Sequence, residues 1–306
     1  ADIFVLGNLT AADGDTITDF TAGEDIVLTL DYSSIASGVS VHVDRASAGV
    51  ANSSLATTLT GVRGSYVYDT TNSKLVVDVN GDQSITASDI RINITAAATA
   101  ANTVAANDLI WSITGGAGND TIIGDDQADS LVGGGGADVI KGGSGADSLT
   151  GGDGADTITG GAGRDTITVT ATGGDSADVI VFGSGTATLG TGDVTGSTSD
   201  VSSAGDTVVG FTDNDKIDIS HLTTTNAADT VGVLANNLNF ASLTASNFFA
   251  SGGADHNIVA GSNGTNGGVW VDINGDGDLD AADGFILLSG HATSAAFDNI
   301  GDYITA

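Results

Sequence analysis

Between Gly115 and Thr168 the large aliphatic residues fall at one interval: Ile122, Leu131, Ile140, Leu149, Ile158 and Ile167, each nine residues after the last. Apart from Lys141, the residues that flank them are small or β-branched, and a turn rich in glycine or aspartate separates one from the next. The six units read GGAGNDTII, GDDQADSLV, GGGGADVIK, GGSGADSLT, GGDGADTIT and GGAGRDTIT. A Thr, Ser or Val on either side of one aliphatic residue is a short strand with a single inward position, and a fixed short period implies stacked, identical coils. A flexible glycine-rich linker would need no phased aliphatic residue.

Outside this block the period changes to two. DTITDF and KLVVDV alternate polar and apolar residues, are rich in Val, Ile and Thr, and are bounded by Gly, Asn and Asp, which predicts half-buried strands. Helix is expected only in short pieces near residues 96 to 109 and 243 to 249. The flanks also resemble each other. ADIFVLG at the start matches ADVIVFG at 177 to 183, GDTITDFTAGEDIVLTL from Gly14 matches GDTVVGFTDNDKIDIS from Gly205, and SKLVVDVNGDQSITASDIRINI from Ser73 matches GGVWVDINGDGDLDAADGFILL from Gly267. The expected fold is therefore all-β, a parallel roll of nonapeptide repeats between two related β-rich, sandwich-like units. Residues 1–112 form the first unit, 113–182 the roll and 183–306 the second unit. Ala1 to Val5 reads as the end of a nonamer, with Asp2 where Asp178 stands in the second copy. A coil would then continue upstream or across a subunit boundary.

The sixth position of every nonamer is aspartate: Asp120, Asp129, Asp138, Asp147, Asp156 and Asp165. Stacked coils would hold these carboxylates at roughly the 4.8 Å spacing of neighbouring strands, which is repulsive unless cations lie between them. Carboxylates with turn carbonyls form an all-oxygen donor set that suits calcium better than zinc or copper.

The pattern resembles the GGxGxDxUx repeat of the RTX family, whose members are calcium-binding parallel β-rolls secreted by Gram-negative bacteria through type I machinery. The resemblance implies that two nonamers make one coil. One ladder would hold Asp120, Asp138 and Asp156, the other Asp129, Asp147 and Asp165, with several calcium ions between turns. The offset copy GGDSADVIV adds Asp178. The second nonamer departs from the pattern, with Asp125 and Gln127 in place of glycines.

Two further loops have the spacing of EF-hand or dockerin calcium loops. In Asp78 to Asp89 the ligands would be Asp78, Asn80, Asp82, the Ser84 carbonyl and Asp89; in Asp272 to Asp283 they would be Asp272, Asn274, Asp276, the Asp278 carbonyl and Asp283. Aspartate replaces the usual final glutamate in both, and Gln83 stands where Gly277 makes the sharp turn in the second loop. The same D-x-N-G-D run also makes a tight turn without metal.

Composition narrows the function. Of 306 residues, 39 are acidic and 7 basic, a formal net charge of -32, which leaves no broad basic surface for nucleic acid or an anionic membrane. There is no cysteine, so calcium is the available staple, and no apolar run is long enough to span a bilayer. Proline and methionine are also absent, and the sequence reads as processed or cut from something longer. His42, His221, His256 and His291 make no paired ligand spacing, and neither GxSxG nor a P-loop is present. The expectation is a protein without a catalytic centre.

FDNIGDYITA at the end has the mixed acidic and apolar character of a type I secretion signal. These features predict a secreted, calcium-dependent structural protein of the bacterial cell surface: an S-layer component, adhesin segment or extracellular filament subunit that self-associates and uses the type I secretion apparatus. The alternative is the C-terminal secretion and folding module of a larger RTX enzyme or toxin. Trp111 and Trp270 leave a third option, a carbohydrate-binding adhesin, although both are expected in the core.

Overall fold

The structure is a computed structural model. It describes residues 3–6, 16–17, 24–50, 63–69, 73–82, 89–94, 109–169, 177–182, 206–212, 214–218, 231–233, 258–262, 265–271, 284–290 and 303–304. Eight strands precede the nonamer loops: β1 (Ile3–Leu6), β2 (Thr16–Ile17), β3 (Asp25–Asp31), β4 (Ser40–Val50), β5 (Arg63–Asp69), β6 (Lys74–Asp78), β7 (Ile90–Ile94) and β8 (Leu109–Thr114). The repeats supply β9 (Thr121–Ile123), β10 (Ser130–Gly135), β11 (Val139–Gly145), β12 (Ser148–Asp153), β13 (Thr157–Gly163) and β14 (Thr166–Thr168). Then follow β15 (Val179–Val181), β16 (Asp206–Val209), β17 (Lys216–Asp218), β18 (Val231–Val233), β19 (Ile258–Ser262), β20 (Gly267–Val271), β21 (Gly284–Ser289) and β22 (Tyr303–Ile304).

The fold is an all-β parallel roll, and the described residues contain no helix. Its strands form two eleven-stranded sheets, β1-β3-β8-β10-β12-β14-β16-β21-β20-β19-β18 and β2-β7-β6-β5-β4-β9-β11-β13-β15-β17-β22. Successive repeats alternate between the sheets, so residues eighteen apart pair in parallel, Leu131 with Leu149 and Ile140 with Ile158. All six phased aliphatic residues are fully buried between the sheets. One inward residue per strand is enough because each lies directly above the same residue of the next coil.

The flanks continue these sheets. β8 pairs with β3 on one side and with β10 on the other, so the expected boundary between residues 112 and 113 falls inside a strand, with no break in the sheet. Its alternation of buried Leu109, Trp111 and Ile113 with half-buried neighbours makes Leu109 the start of a strand, where a short helix was expected. Residues 96–108 and 243–249, the remainder of the expected helices, lie outside the described residues.

The internal duplication is visible in the pairing. β1 lies parallel to β3 as β15 does to β17, and β2 lies parallel to β7 as β16 does to β21. The antiparallel run β5-β6-β7 corresponds to β19-β20-β21. The copies exchange sheets: β1 and β3 share a sheet with β16 and β21, while β2 and β7 share the other with β15 and β17. In the described residues no helix is long and apolar enough to cross a membrane.

Candidate metal centre

The turns of the roll are shaped by backbone approach. In the third to sixth repeats the second and fourth residues are glycines with φ between +108° and +139°. At Gly152 and Gly154 this is obligatory twice over. L-residues avoid that region, and a Cβ at either position would collide with the Gly134 or Gly136 carbonyl of the coil beneath. Consecutive turns therefore stack with their carbonyl oxygens close together.

The sixth-position aspartate ends each turn and opens the next strand. The structure places these residues in two ladders. In one, the Asp120 amide donates to Asp138 Oδ1 at 2.8 Å, the Asp138 amide to Asp156 Oδ1 at 2.9 Å, and the Asp156 amide to Asp178 Oδ1 at 2.9 Å. In the other, the Asp129 amide donates to Asp147 Oδ1 and the Asp147 amide to Asp165 Oδ1, both at 2.8 Å. These side chains are at most 2% exposed. A carboxylate placed this deep costs several kcal/mol unless its lone pairs are filled, on the order of magnitude of other buried ions.

In four of them one oxygen is not filled by protein. Oδ2 of Asp138, Asp147, Asp156 and Asp165 is buried and has no hydrogen-bond partner. It hangs over the first glycine of its own repeat: a Cβ on Gly133 would strike Asp138 Oδ2 and the Gly151 carbonyl of the next coil, and one on Gly142 would strike Asp147 Oδ2 and the Gly160 carbonyl. The absent side chain thus leaves a cradle lined by a carboxylate oxygen and a carbonyl oxygen. Among the described residues no three acidic or imidazole side chains gather at one point, so the cradles at Gly133 and Gly142 each rest on one carboxylate with a backbone carbonyl. That donor set fits a hard cation such as calcium. A Cβ on Gly115 or Gly124 would meet the same kind of pair, with Asp120 or Asp129, whereas on Gly151 or Gly160 it would meet the carboxylate of Asp156 or Asp165 with no carbonyl among its nearest atoms.

Burial also shifts these acids. It pushes Asp138 up to about 6 and Asp147 up to about 8, with the neighbouring ladder aspartates adding to the effect. Asp129 rises to about 7 for the same first reason, and Asp125, Asp156 and Asp165 are raised as well.

Two ladder residues are not evident from the nonamer pattern. The Asp165 amide donates to Asp206 Oδ1 at 2.7 Å and the Asp178 amide to Asp215 Oδ1 at 2.9 Å. Both open strands of the form Asp-x-aliphatic-x, DTVV and DKID, which is the second half of the nonamer without its glycine turn. That half-motif was the available signal. Asp215 closes its ladder, because its Oδ2 accepts from the Thr212 amide at 2.8 Å and the Thr212 hydroxyl at 3.1 Å.

In the first EF-type loop, Asp78 and Asp89 are buried beside one stretch of backbone. Asp78 Oδ1 accepts from the Gly81 amide at 2.6 Å, and Asp89 Oδ1 from the Val79 amide at 3.2 Å. Asp82 is exposed and accepts from Asn80 Nδ2 at 2.9 Å, so the expected ligands Asp78, Asp82 and Asp89 do not form one three-carboxylate cluster. Ser84 lies outside the described residues, as do Asp272, Asn274, Asp276, Asp278 and Asp283.

A family model matches the block. Residues 112–140 and 132–167 match the family model of the RTX calcium-binding nonapeptide repeat. No curated protein matches. Among solved structures the chain is similar to the AlgE6R2 subunit of the Azotobacter vinelandii mannuronan C5-epimerase, at 24% identity over 61% of this chain and 92% of that one, with a TM-score of 0.38. It is also similar to the AlgE6R3 subunit of the same organism's enzyme, at 25% identity over 60% of this chain and 81% of that one, with a TM-score of 0.36. The block is a β-roll of calcium-binding RTX repeats that takes several ions.

Proposed function

We propose that this chain is a secreted, calcium-dependent structural protein of the bacterial cell surface, an S-layer component, adhesin segment or extracellular filament subunit. The observation that carries the reading is the continuity of the two sheets: the repeats form the middle of one roll that runs on through both flanks. A fold used in this way is a rod or plate, and the reading assigns it no reaction of its own. Self-association would extend it, and export would use the type I apparatus, with residues 297–306 as the signal.

The repeat aspartates make folding depend on the compartment. Where free calcium is scarce, the buried Oδ2 of Asp138, Asp147, Asp156 and Asp165 lacks a partner and the ladders repel, so the block stays open and fit for passage through a channel. Calcium supplies the positive charge these oxygens lack. At roughly millimolar external levels, binding free energy becomes folding free energy. The loops Asp78–Asp89 and Asp272–Asp283 are further calcium loops in this reading, supported by their spacing and, in the first, by the burial of Asp78 and Asp89.

Electron microscopy of the native protein with calcium and with EGTA tests the proposal. Ordered sheets or fibres that dissolve on chelation are expected. A monomeric particle at every calcium level, together with an intact native mass well above that of the 306 residues, would instead establish the folding module of a larger enzyme or toxin.

A further inference from the structure

The six repeat aspartates look equivalent in sequence, yet their carboxylates are served differently. Both oxygens of the first two are occupied by backbone amides. Asp120 accepts from the Val39 amide at Oδ1, 2.6 Å, and from the Gly116 amide at Oδ2, 2.5 Å. Asp129 accepts from the Trp111 amide at Oδ1 and from the Asp125 amide at Oδ2, both at 2.9 Å. In Asp138, Asp147, Asp156 and Asp165 only Oδ1 takes an amide, and the buried Oδ2 takes none.

The cause lies at the second residue of each turn. In the later four repeats it is Gly134, Gly143, Gly152 or Gly161, all at positive φ. In the first two it is Gly116 or Asp125, neither of which has positive φ, and its amide turns back to the carboxylate four residues on. This geometry explains why Asp125 and Gln127 are tolerated where other repeats have glycine. It also puts an N–H on the very oxygen, Oδ2, that the later repeats leave open, so that oxygen has its lone pair and its charge partly answered by protein.

We infer that Asp120 and Asp129 are not calcium ligands, and that the calcium sites of the block begin at Asp138 and Asp147. The first coil is closed by amides alone and forms a metal-independent end plate for the coils that follow. Its seat is the core of the first flank. Trp111 is fully buried, its ring lies 5.5 Å from that of Tyr66, and its indole N–H donates to Asp125 Oδ2 at 3.2 Å. The inference rests on calcium binding by the block, and not on where the protein works.

Native mass spectrometry of the full chain across a calcium titration, with six single Asp→Asn variants, tests this. Asparagine preserves size and one oxygen acceptor while removing the charge that a calcium ligand supplies. D138N, D147N, D156N and D165N are expected each to bind about one ion fewer, and D120N and D129N to bind as many as the parent. Equal loss in all six overturns the inference, whereas a parent chain that binds no calcium overturns the calcium reading itself.

Amide hydrogen exchange of the parent chain gives a second measure if D120N or D129N fails to fold. The Gly116 and Asp125 amides should stay protected after chelation, while the Asp138 and Asp147 amides lose protection. Loss of protection at Gly116 and Asp125 together with the later coils overturns the end plate.

Discussion

The repeat block and the flanks share two sheets, but they are held together by different means. β11 buries one aliphatic side chain, Ile140, whereas β8 buries Leu109, Trp111 and Ile113, and β7 buries Ile90, Ile92 and Ile94. Burying one Ile or Leu contributes about 1.5–3 kcal/mol. Ordering the backbone costs about 1–2 kcal/mol per residue. A nine-residue repeat with one aliphatic residue therefore depends heavily on bonding between its coils. The flanks add aromatic packing, such as Trp270 against Phe285 at 5.2 Å. On the proposed reading, the calcium dependence of the block belongs to its glycine turns, apart from the ions of the two flank loops.

Chelation should break this comparison open with the largest effect. Hydrogen exchange in EGTA is expected to lose protection across residues 133–168 while strands β3, β7 and β8 keep theirs; simultaneous loss everywhere would show that block and flanks fold as one unit. Core truncations sharpen it next. In calcium, Leu149→Ala and Leu28→Ala should each cost about 2–5 kcal/mol in chemical denaturation. Without calcium only Leu28→Ala should still shift the transition, and a matching shift from Leu149→Ala would contradict the difference.

Glycine substitutions have a smaller, more local effect. Gly290→Ala has open space and φ +80°, so it should cost only about 1–2 kcal/mol. Gly152→Ala adds a collision with the Gly134 carbonyl to a φ of +113°, and should cost more and weaken calcium binding in calorimetry. Equal effects at the two sites would mean that the turns do not need their close approach.

The last test is pH. Asp138 and Asp147 titrate in the folded chain near 6 and 8, against 3.8 for an unperturbed group. Raised carboxyl pKa values favour the folded state fully below the unfolded value, and that contribution is lost as pH rises through the folded values. Metal-free protein should thus regain hydrogen-exchange protection in the block near about pH 4.5 that it lacks near about pH 8, and equal protection at both would contradict the shifts. Calcium-loaded protein should show the opposite trend, because protons compete for the same oxygens.

Much of this architecture is legible in the residues. The phased Ile and Leu positions give the strands of the block, and the matched segments give the duplicated pairing in the flanks. The exchange of sheets between the copies is not legible, because a sheet assignment depends on how many half-coils intervene and not on any residue. Asp206 and Asp215 escape because they follow their ladder neighbours Asp165 and Asp178 by 41 and 37 residues, where the block uses eighteen. The closure of Asp120 and Asp129 depends on the direction of one amide, and only Asp125 and Gln127 hint at it. Leu109 to Thr114 shows plain period-two alternation, so its strand was readable there.

The strands lie across the roll, and the hydrogen bonds that join them lie along it. The one covalent path between the ends winds round every coil, so a pull along the roll would first load the seams between coils, each crossed by strand hydrogen bonds and, in the block, by an Asp amide and the carboxylate of the next coil. Past the glycine turns, the Asp165 to Asp206 and Asp178 to Asp215 contacts carry the same kind of seam into the second flank, so the load would pass from block to flank through the ladders themselves.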